Sequence, residues 1–259
     1  MRYISDKAII IEPLIVGKNV YIGPYSIIGP NVEIGENTWI DSYVRIAGST
    51  CIGSNNKFSS FSNIGISLKE NFNKDFSCNL TIGNNNFFGE GVSVCNGLIS
   101  TSIGNNNYFM HDSYISNDCI LSSNIFFSNN VFVSSHVLID DFAIVSRFVN
   151  ICNNVYIGAY SFLGSNSIVC YDAFPYSLVS GAPASFNGLN LVCLKKNFFS
   201  KNSILKLKKI YKFIFCGNLS IKELIFILSS KKYFSIESNQ LIKFLLKSKK
   251  IKQSCIYTF

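Results

Sequence analysis

A parallel β-solenoid followed by a helical tail is the fold this sequence predicts. Three observations carry the prediction. An aliphatic or aromatic residue returns at every sixth position over most of the first 170 residues. Glycine or asparagine accompanies most of these repeats. From about residue 190 the rhythm is gone, and Lys, Leu, Ile and Phe take over. A six-residue period fits neither the 3.6 of a helix nor the two-residue alternation of a long strand. A short fixed repeat over such a span means stacked coils.

The first block runs Ile10, Val16, Ile22, Ile28, Ile34, Ile40, Ile46, Ile52, Phe58, Ile64. Each hexad reads as a short strand and a corner. Two residues before many of the aliphatics stand Val20, Ser26, Val32, Thr38, Val44 and Thr50, so alternation turns both onto one inward face. Glycine follows the aliphatic at Gly17, Gly23, Gly29, Gly35 and elsewhere, and is expected to supply the positive φ of a corner. Asn84–Asn86 and Asn105–Asn107 use the next most tolerant residue. Between Ile64 and Ile82 the aliphatic positions lapse while the phase survives, which predicts a loop over 66–81. A short block Ile82, Phe88, Val94 follows. The phase then jumps by three before Ile103, which predicts a smaller excursion at 97–102. Loops on a rigid scaffold are where function tends to lie. The third block runs from Ile103 to Val169, and the rhythm stops at DAFPYSLVSGAPAS. Pro175 and Pro183 read as turn-formers, with an X–Pro bond there open to the cis form.

The tail reads as helices. Residues 201–215 carry Ile204, Leu207, Tyr211 and Ile214 at helical spacing. Cys216-Gly217-Asn218 is a stop signal. Ser220 and Glu223 make a capping box ahead of LIFIL, and QLIKFLLKS (240–248) is a third helix. No apolar run reaches spanning length without charge, and the N-terminus has no basic-then-apolar leader. Of the 20 lysines, fifteen follow residue 194, so the net charge of +8 belongs mainly to the tail. That is either a solvated surface or a docking face for an acidic partner. No nucleic-acid motif accompanies it, so nucleic acid is not an expected partner. Nine widely spaced cysteines without a CxxC pair are expected to be reduced residues in a cytosolic protein, not disulfides or zinc ligands.

VSGAPA (179–184) resembles the Val-x-Gly-x-Pro-Ala segment that closes many hexapeptide-repeat transferase helices. IGPYSIIGPNVEIG (22–35), NDC (117–119), HVLIDDFAIV (136–145) and GLNLVCLKKNFFS (188–200) narrow the match. With the loop and the helical tail, they make nearly the whole chain resemble the bacterial UDP-N-acetylglucosamine 3-O-acyltransferase family. The resemblance implies an all-β left-handed parallel β-helix over 1–186, with the loop at 66–81, and a C-terminal α-helical domain over 187–259. Three hexads would make one coil, stacking residues i and i+18. It also implies transfer of a 3-hydroxyacyl group from acyl carrier protein to the 3-hydroxyl of UDP-N-acetylglucosamine, the first step of lipid A synthesis, in the cytoplasm. A homotrimer with sites between neighbouring prisms is implied, with no metal or other cofactor. In the family a histidine acts as general base, and backbone N–H groups steady the oxyanion.

The sequence departs from that pattern at the base. Aligned through Ile115, Asp118 and Cys119, the catalytic position holds Asn117, and a further family histidine three residues earlier is Tyr114. An amide can hold a hydroxyl but has no useful basicity near neutral pH. His136 matches a family histidine of the active-site region. It follows Asp118 by 18 residues and is expected one coil above it on the same wall. His111 has no family counterpart. Asn117, Asp118 and His136 are the catalytic candidates. Glu70, Asn153, Asn190 and Lys196 are the substrate-binding candidates. Glu70 matches an acidic residue that contacts the nucleotide sugar, and Asn190 an asparagine near the nucleotide. Asn153 stands for a glutamine, Cys152 for a histidine, and Lys196 with Asn197 for an arginine pair. Phe72 and Val192 replace charged family residues. Each candidate has a plainer reading: Glu70 as a solvated acid, Asp118 as the holder of a corner amide, His136 as a corner or interface residue. Three functions stay open: an acyltransferase, with His136 as relocated base or with positioning and the oxyanion hole carrying residual turnover; a binding or scaffold homologue without chemistry; and an acyltransferase for a related UDP-sugar.

Overall fold

In a computed structural model, residues 3–66, 79–216, 219–230, 233 and 235–248 are described. The chain winds round a triangular prism, a left-handed parallel β-helix. Tyr3–Ile4 lies on the first wall, Ile9–Ile10 on the second and Leu14–Val16 on the third; Tyr21–Ile22 then returns to the first. Pairing is parallel and in register at i to i+18, as in Tyr3↔Tyr21, Ile9↔Ile27 and Leu14↔Val32. The three walls hold 11, 9 and 8 strands among the described residues. Most strands are two or three residues long, too short to persist without neighbouring coils.

The sextet residues fill the prism. On wall one, Ile22, Ile40, Phe58, Phe88, Phe109, Phe127, Val145 and Leu163 form a fully buried column. Phe58 and Phe88 stack at 4.7 Å, and Phe109 meets Phe127 edge-on at 5.0 Å. The residues two places earlier are buried as well, and their hydroxyls bond to corner backbone: Ser26 Oγ to Asp41 O at 2.7 Å, Thr50 Oγ1 to Ala47 O at 2.8 Å. Further along, Asn56, Asn86 and Asn107 stack as an internal amide ladder, with Asn86 Nδ2 donating to Asn56 Oδ1 at 3.0 Å and Asn107 N to Asn86 Oδ1 at 2.9 Å. Most of these buried polar groups find a partner in their own or the next coil, Ser161 Oγ being an exception.

The expected role of glycine needs correction. Positive φ falls on Gly48, Gly65, Gly91, Gly181 and Gly188, so of the glycines that follow the sextet residue only Gly65 supplies it. The left-handed residue is instead the asparagine or aromatic three places after the inward one: Asn19 (φ 56), Tyr25 (φ 60), Asn31 (φ 58), Asn37 (φ 55). Gly35 and Gly53 are needed for close approach. A Cβ on Gly35 would lie 2.4 Å from the Gly53 carbonyl carbon, and one on Gly53 2.7 Å from the Gly83 oxygen. The strain at Tyr25, Tyr43 and Phe61 is offset by ring stacking at 5.0 and 5.3 Å along that corner.

The flanks of both interruptions are strand. Ile66 ends the wall-two strand Asn63–Ile66, and Leu80–Ile82 opens the next strand on wall three. Thr101 and Ser102 likewise belong to the strand Thr101–Ile103, leaving Asn96–Ser100 as the smaller excursion. The cysteines are not all reduced: Cys51, on the outer face of wall three, is disulfide-bonded.

Past the last coil, Ser177–Gly181 and Ala184–Leu189 form an antiparallel hairpin that extends wall one. Helices α1 (Leu191–Lys196), α2 (Lys201–Cys216), α3 (Ile221–Ser229) and α4 (Ile236–Lys247) follow. The Ser220/Glu223 box caps α3 as its sequence predicts. Helix α4 starts four residues before the predicted segment because Ser235 caps it and accepts from Ser238 N. The tail has its own core, with Leu207, Tyr211, Phe215, Leu228 and Phe244 closing on Tyr156, Phe174 and Tyr176 of the prism. Among the described residues no helix is long and apolar enough to cross a membrane.

Candidate active site

One edge of the prism differs from the other two. The chain passes from wall two to wall three there, and both interruptions leave from that edge, between Ile66 and Leu80 and between Cys95 and Thr101. The next coils place Asp118, His136 and Asn154 at the same corner, all with left-handed backbone (φ 56, 59 and 57). Asp, Asn and His are the non-glycine types that best tolerate that conformation, so the corner selects residues that also carry chemistry. His136 therefore sits one coil above Asp118 as the spacing predicts, but at a corner and not on a wall.

Asp118 is held rigidly. Its Oδ1 accepts from Ile99 N at 2.7 Å and Ser100 N at 3.2 Å, the backbone of the small excursion. Its Oδ2 accepts from Asn117 Nδ2 at 2.7 Å, and its own N–H donates to Thr101 Oγ1 at 2.9 Å. The Asn117 amide is equally committed. Its Oδ1 accepts from Ser135 Oγ at 2.6 Å and Ser116 Oγ at 3.2 Å, and its backbone oxygen accepts from His136 N at 3.1 Å. Asn117 is buried and clamps a carboxylate, which leaves it little to offer a substrate.

His136 is placed differently. Its side chain is 49% exposed, against 5% for Asp118, and Nδ1 lies 4.0 Å from Asp118 Oδ2. That is ion-pair range and longer than a hydrogen bond. With Nδ1 turned to the carboxylate, Nε2 is the nitrogen left for the adjoining cleft. The cleft measures about 260 Å³ and is lined by Asp118, His136, Leu138, Asn154, Val155, Tyr156, Asp172 and, from α4, Lys247. Tyr156 OH donates to Asp140 Oδ2 at 2.6 Å, and its ring stacks on Phe244 at 4.6 Å, which fixes the tail against this edge. Burial and the Asp140 carboxylate both raise the Tyr156 pKa, and burial raises that of Asp140. Tyr114 makes a poor substitute base: burial and its contact with Cys95 Sγ at 3.1 Å push its phenol up to about 12. Burial pushes the Cys119 thiol to about 12 as well.

The remaining candidates divide. Asn153 joins the corner, its Oδ1 accepting from Ser135 N at 3.0 Å. Asn190 does not: it caps α1, accepting from Cys193 N, and its Nδ2 donates to Tyr160 O at 2.9 Å on the edge between walls three and one. Lys196 is exposed in the last turn of α1. Glu70 and Phe72 lie outside the described residues. His111 stands on the edge between walls one and two, where Nδ1 accepts from Glu90 N at 3.2 Å. Ser116, Thr101 and Ser135 were not singled out in the sequence, although Ser135 is Asn117 plus 18. Nothing in the sequence ties Lys247 to this cleft.

Comparison with known proteins gives a consistent picture. Residues 172–252 match the model of "Udp N-acetylglucosamine O-acyltransferase; Domain 2", and residues 13–38 and 31–65 match the bacterial transferase hexapeptide model. The acyl-[acyl-carrier-protein]–UDP-N-acetylglucosamine O-acyltransferase of Syntrophobacter fumaroxidans is 34% identical over 225 residues, 85% of this chain and 87% of the relative. The crystal structure of the Moraxella catarrhalis UDP-N-acetylglucosamine O-acyltransferase superposes with a TM-score of 0.90 at 30% identity, covering 95% of this chain and 98% of that one. The Francisella novicida UDP-N-acetylglucosamine acyltransferase gives 0.89 at 31% identity, covering 95% and 92%.

Proposed function

The chain belongs to the UDP-N-acetylglucosamine O-acyltransferase family, and we propose that it transfers a 3-hydroxyacyl group from acyl carrier protein to the 3-hydroxyl of UDP-N-acetylglucosamine, the step that opens lipid A synthesis. The observation that carries the reading is the pairing of a half-exposed imidazole, open to a cleft, with a nearly buried carboxylate one coil below. A general base needs both: access to the hydroxyl, and a fixed partner for the charge it gains.

In this reading His136 Nε2 takes the proton of the sugar 3-hydroxyl as that oxygen attacks the thioester carbonyl carbon. The tetrahedral intermediate collapses, the carbon–sulfur bond breaks, and the imidazolium returns the proton to the carrier thiolate. Asp118 steadies the imidazolium through Nδ1. Its four hydrogen-bonding neighbours (Ile99 N, Ser100 N, Asn117 Nδ2 and Thr101 Oγ1) keep it from swinging away. Asn117 then acts by holding Asp118, not by taking a proton. Asn153 stands above it through Ser135, at the same corner.

Asn190 and Lys196 would bind the nucleotide from a neighbouring chain. Asn190 lies against the edge between walls three and one and caps the helix that carries Lys196, whereas His136 lies on the edge between walls two and three. A homotrimer that sets one prism edge against the next would bring the two sets together. The basic tail suits the acidic surface of a carrier protein.

A second reading follows from Asn117 itself: a homologue that binds a UDP-sugar without acylating it, or that acylates a related UDP-sugar. The deciding experiment is acyl transfer with purified protein, a carrier-bound 3-hydroxyacyl donor and a panel of UDP-amino sugars. Product with UDP-N-acetylglucosamine supports the first reading. Product with another acceptor alone, or nucleotide-sugar binding without any product, supports the second. A large gain from Asn117→His would show that the wild-type corner lacks a working base.

A further inference from the structure

The edge that carries His136 also carries two thiols. Cys152 and Cys170 occupy the first corner position after the strands Asn150–Ile151 and Ile168–Val169, one coil apart. Those strands pair in parallel register, Ile151 opposite Val169, and Cys152 N donates to Val169 O at 2.9 Å. Register therefore puts the two cysteines directly over one another. Their sulfurs are 3.4 Å apart, and both are thiols, not disulfide-bonded. Both are partly exposed, whereas Cys95, Cys119 and Cys193 are buried.

We propose that Cys152 and Cys170 are an oxidisable dithiol that hydroperoxides convert to a disulfide bridging two rungs of the prism. The geometry is close to closed already. Neighbouring strands lie about 4.8 Å apart, inside the roughly 4.4–6.8 Å Cα window that a disulfide accepts. Bond formation must draw the sulfurs from 3.4 Å to about 2.05 Å. The chemistry balances in two steps. One thiolate attacks a peroxide oxygen; an S–O bond forms, the O–O bond breaks, and water or an alcohol leaves, giving a sulfenic acid. The second sulfur then attacks that sulfenic sulfur; the S–S bond forms, the S–O bond breaks, and water leaves. Two electrons pass from the thiols to the peroxide. The second step is intramolecular between touching sulfurs, so it outruns further oxidation of the sulfenic acid. The buried thiols lack access, and burial holds the Cys119 thiolate scarce at neutral pH.

The bridge would leave the coil intact, because it links residues already in register. It would stiffen the rung that presents Asn153, the next residue in the chain, whose Oδ1 holds Ser135 N beneath it.

The test uses the full-length protein treated with hydrogen peroxide, alkylated under denaturing conditions and digested for mass spectrometry. A peptide joining Cys152 to Cys170 is expected, lost on treatment with dithiothreitol and absent from Cys152→Ser and Cys170→Ser. Serine is tolerated at this corner position, since Ser116 and Ser134 occupy it in the coils below. A phenylarsenical that must span two thiols gives an independent readout: one bound per wild-type chain at this pair, none in either variant. Recovery of both cysteines as separate alkylated or over-oxidised peptides, or an arsenical that binds both variants as well as the wild type, would overturn the proposal.

Discussion

The edge between walls three and one and the edge between walls two and three are built from the same hexads and the same left-handed corner residue, yet they have diverged. At the first edge Asn19, Asn37, Asn55, Asn85, Asn106 and Asn124 succeed one another without interruption, and Phe142, Tyr160 and Tyr176 continue the series. Their side chains stack on their own kind, as when Asn19 Nδ2 donates to Asn37 Oδ1 at 3.1 Å or Phe142 lies on Tyr160 at 4.7 Å. The second edge is interrupted twice and then offers Asp118, His136, Asn154 and Asp172 to a cleft. Asp118, His136 and Asn154 share the left-handed backbone of the first edge, so backbone alone cannot explain why one edge holds repeating amides and rings and the other carries an acid and an imidazole. The difference lies in what the corner faces: the next rung of the same chain at the first edge, and an open cleft at the second.

Substitutions can break or sharpen this contrast. The largest stability effect belongs to the regular interior that both edges share. Phe88→Ala removes the centre of the stacked ring column and should cost about 3–5 kcal/mol in denaturant unfolding. A cost below about 1 kcal/mol would mean the column is not the common scaffold. Next come the two buried amides. Asn86→Ala in the internal ladder and Asn117→Ala at the cleft edge each orphan hydrogen-bonding partners and should cost about 1–3 kcal/mol. Only the second should also lower acyl transfer, because only it loosens Asp118; equal losses of activity in both would erase the distinction between the edges. The smallest effect lies in the tail. Ser220→Ala removes the α3 cap and should cost about 1 kcal/mol, with acyl transfer per folded molecule unchanged.

The prism was legible because its period is imposed by geometry. Every coil must return a side chain to the same inner column, so Ile22, Ile40 and Phe58 appear at fixed intervals. The tail helices were legible for a similar reason, in the spacing of Leu207, Tyr211 and Ile214 and in the Ser220 cap. The hairpin Ser177–Leu189 was hidden, since Ser, Gly, Ala and Asn within it give neither strand alternation nor helical spacing. Helix α1 is six residues long, too short for a period to show, and the capping bond from Cys193 N to Asn190 could not be read from the sequence. The glycines misled because close approach and positive φ both favour the same residue; only the third dimension shows that Gly35 is small for the sake of Gly53. At the site, the stack of His136 on Asp118 followed from counting eighteen. The occupation of Asn117 by Ser116 and Ser135 could not be counted, because it depends on which way short side chains turn at a corner.

The most direct measurement is the rate of acyl transfer to UDP-N-acetylglucosamine by wild-type protein and His136→Ala, with both shown by thermal unfolding to be equally folded. A proton-accepting His136 predicts a loss of about 10²–10⁴-fold in kcat. Equal rates in the two proteins would contradict it.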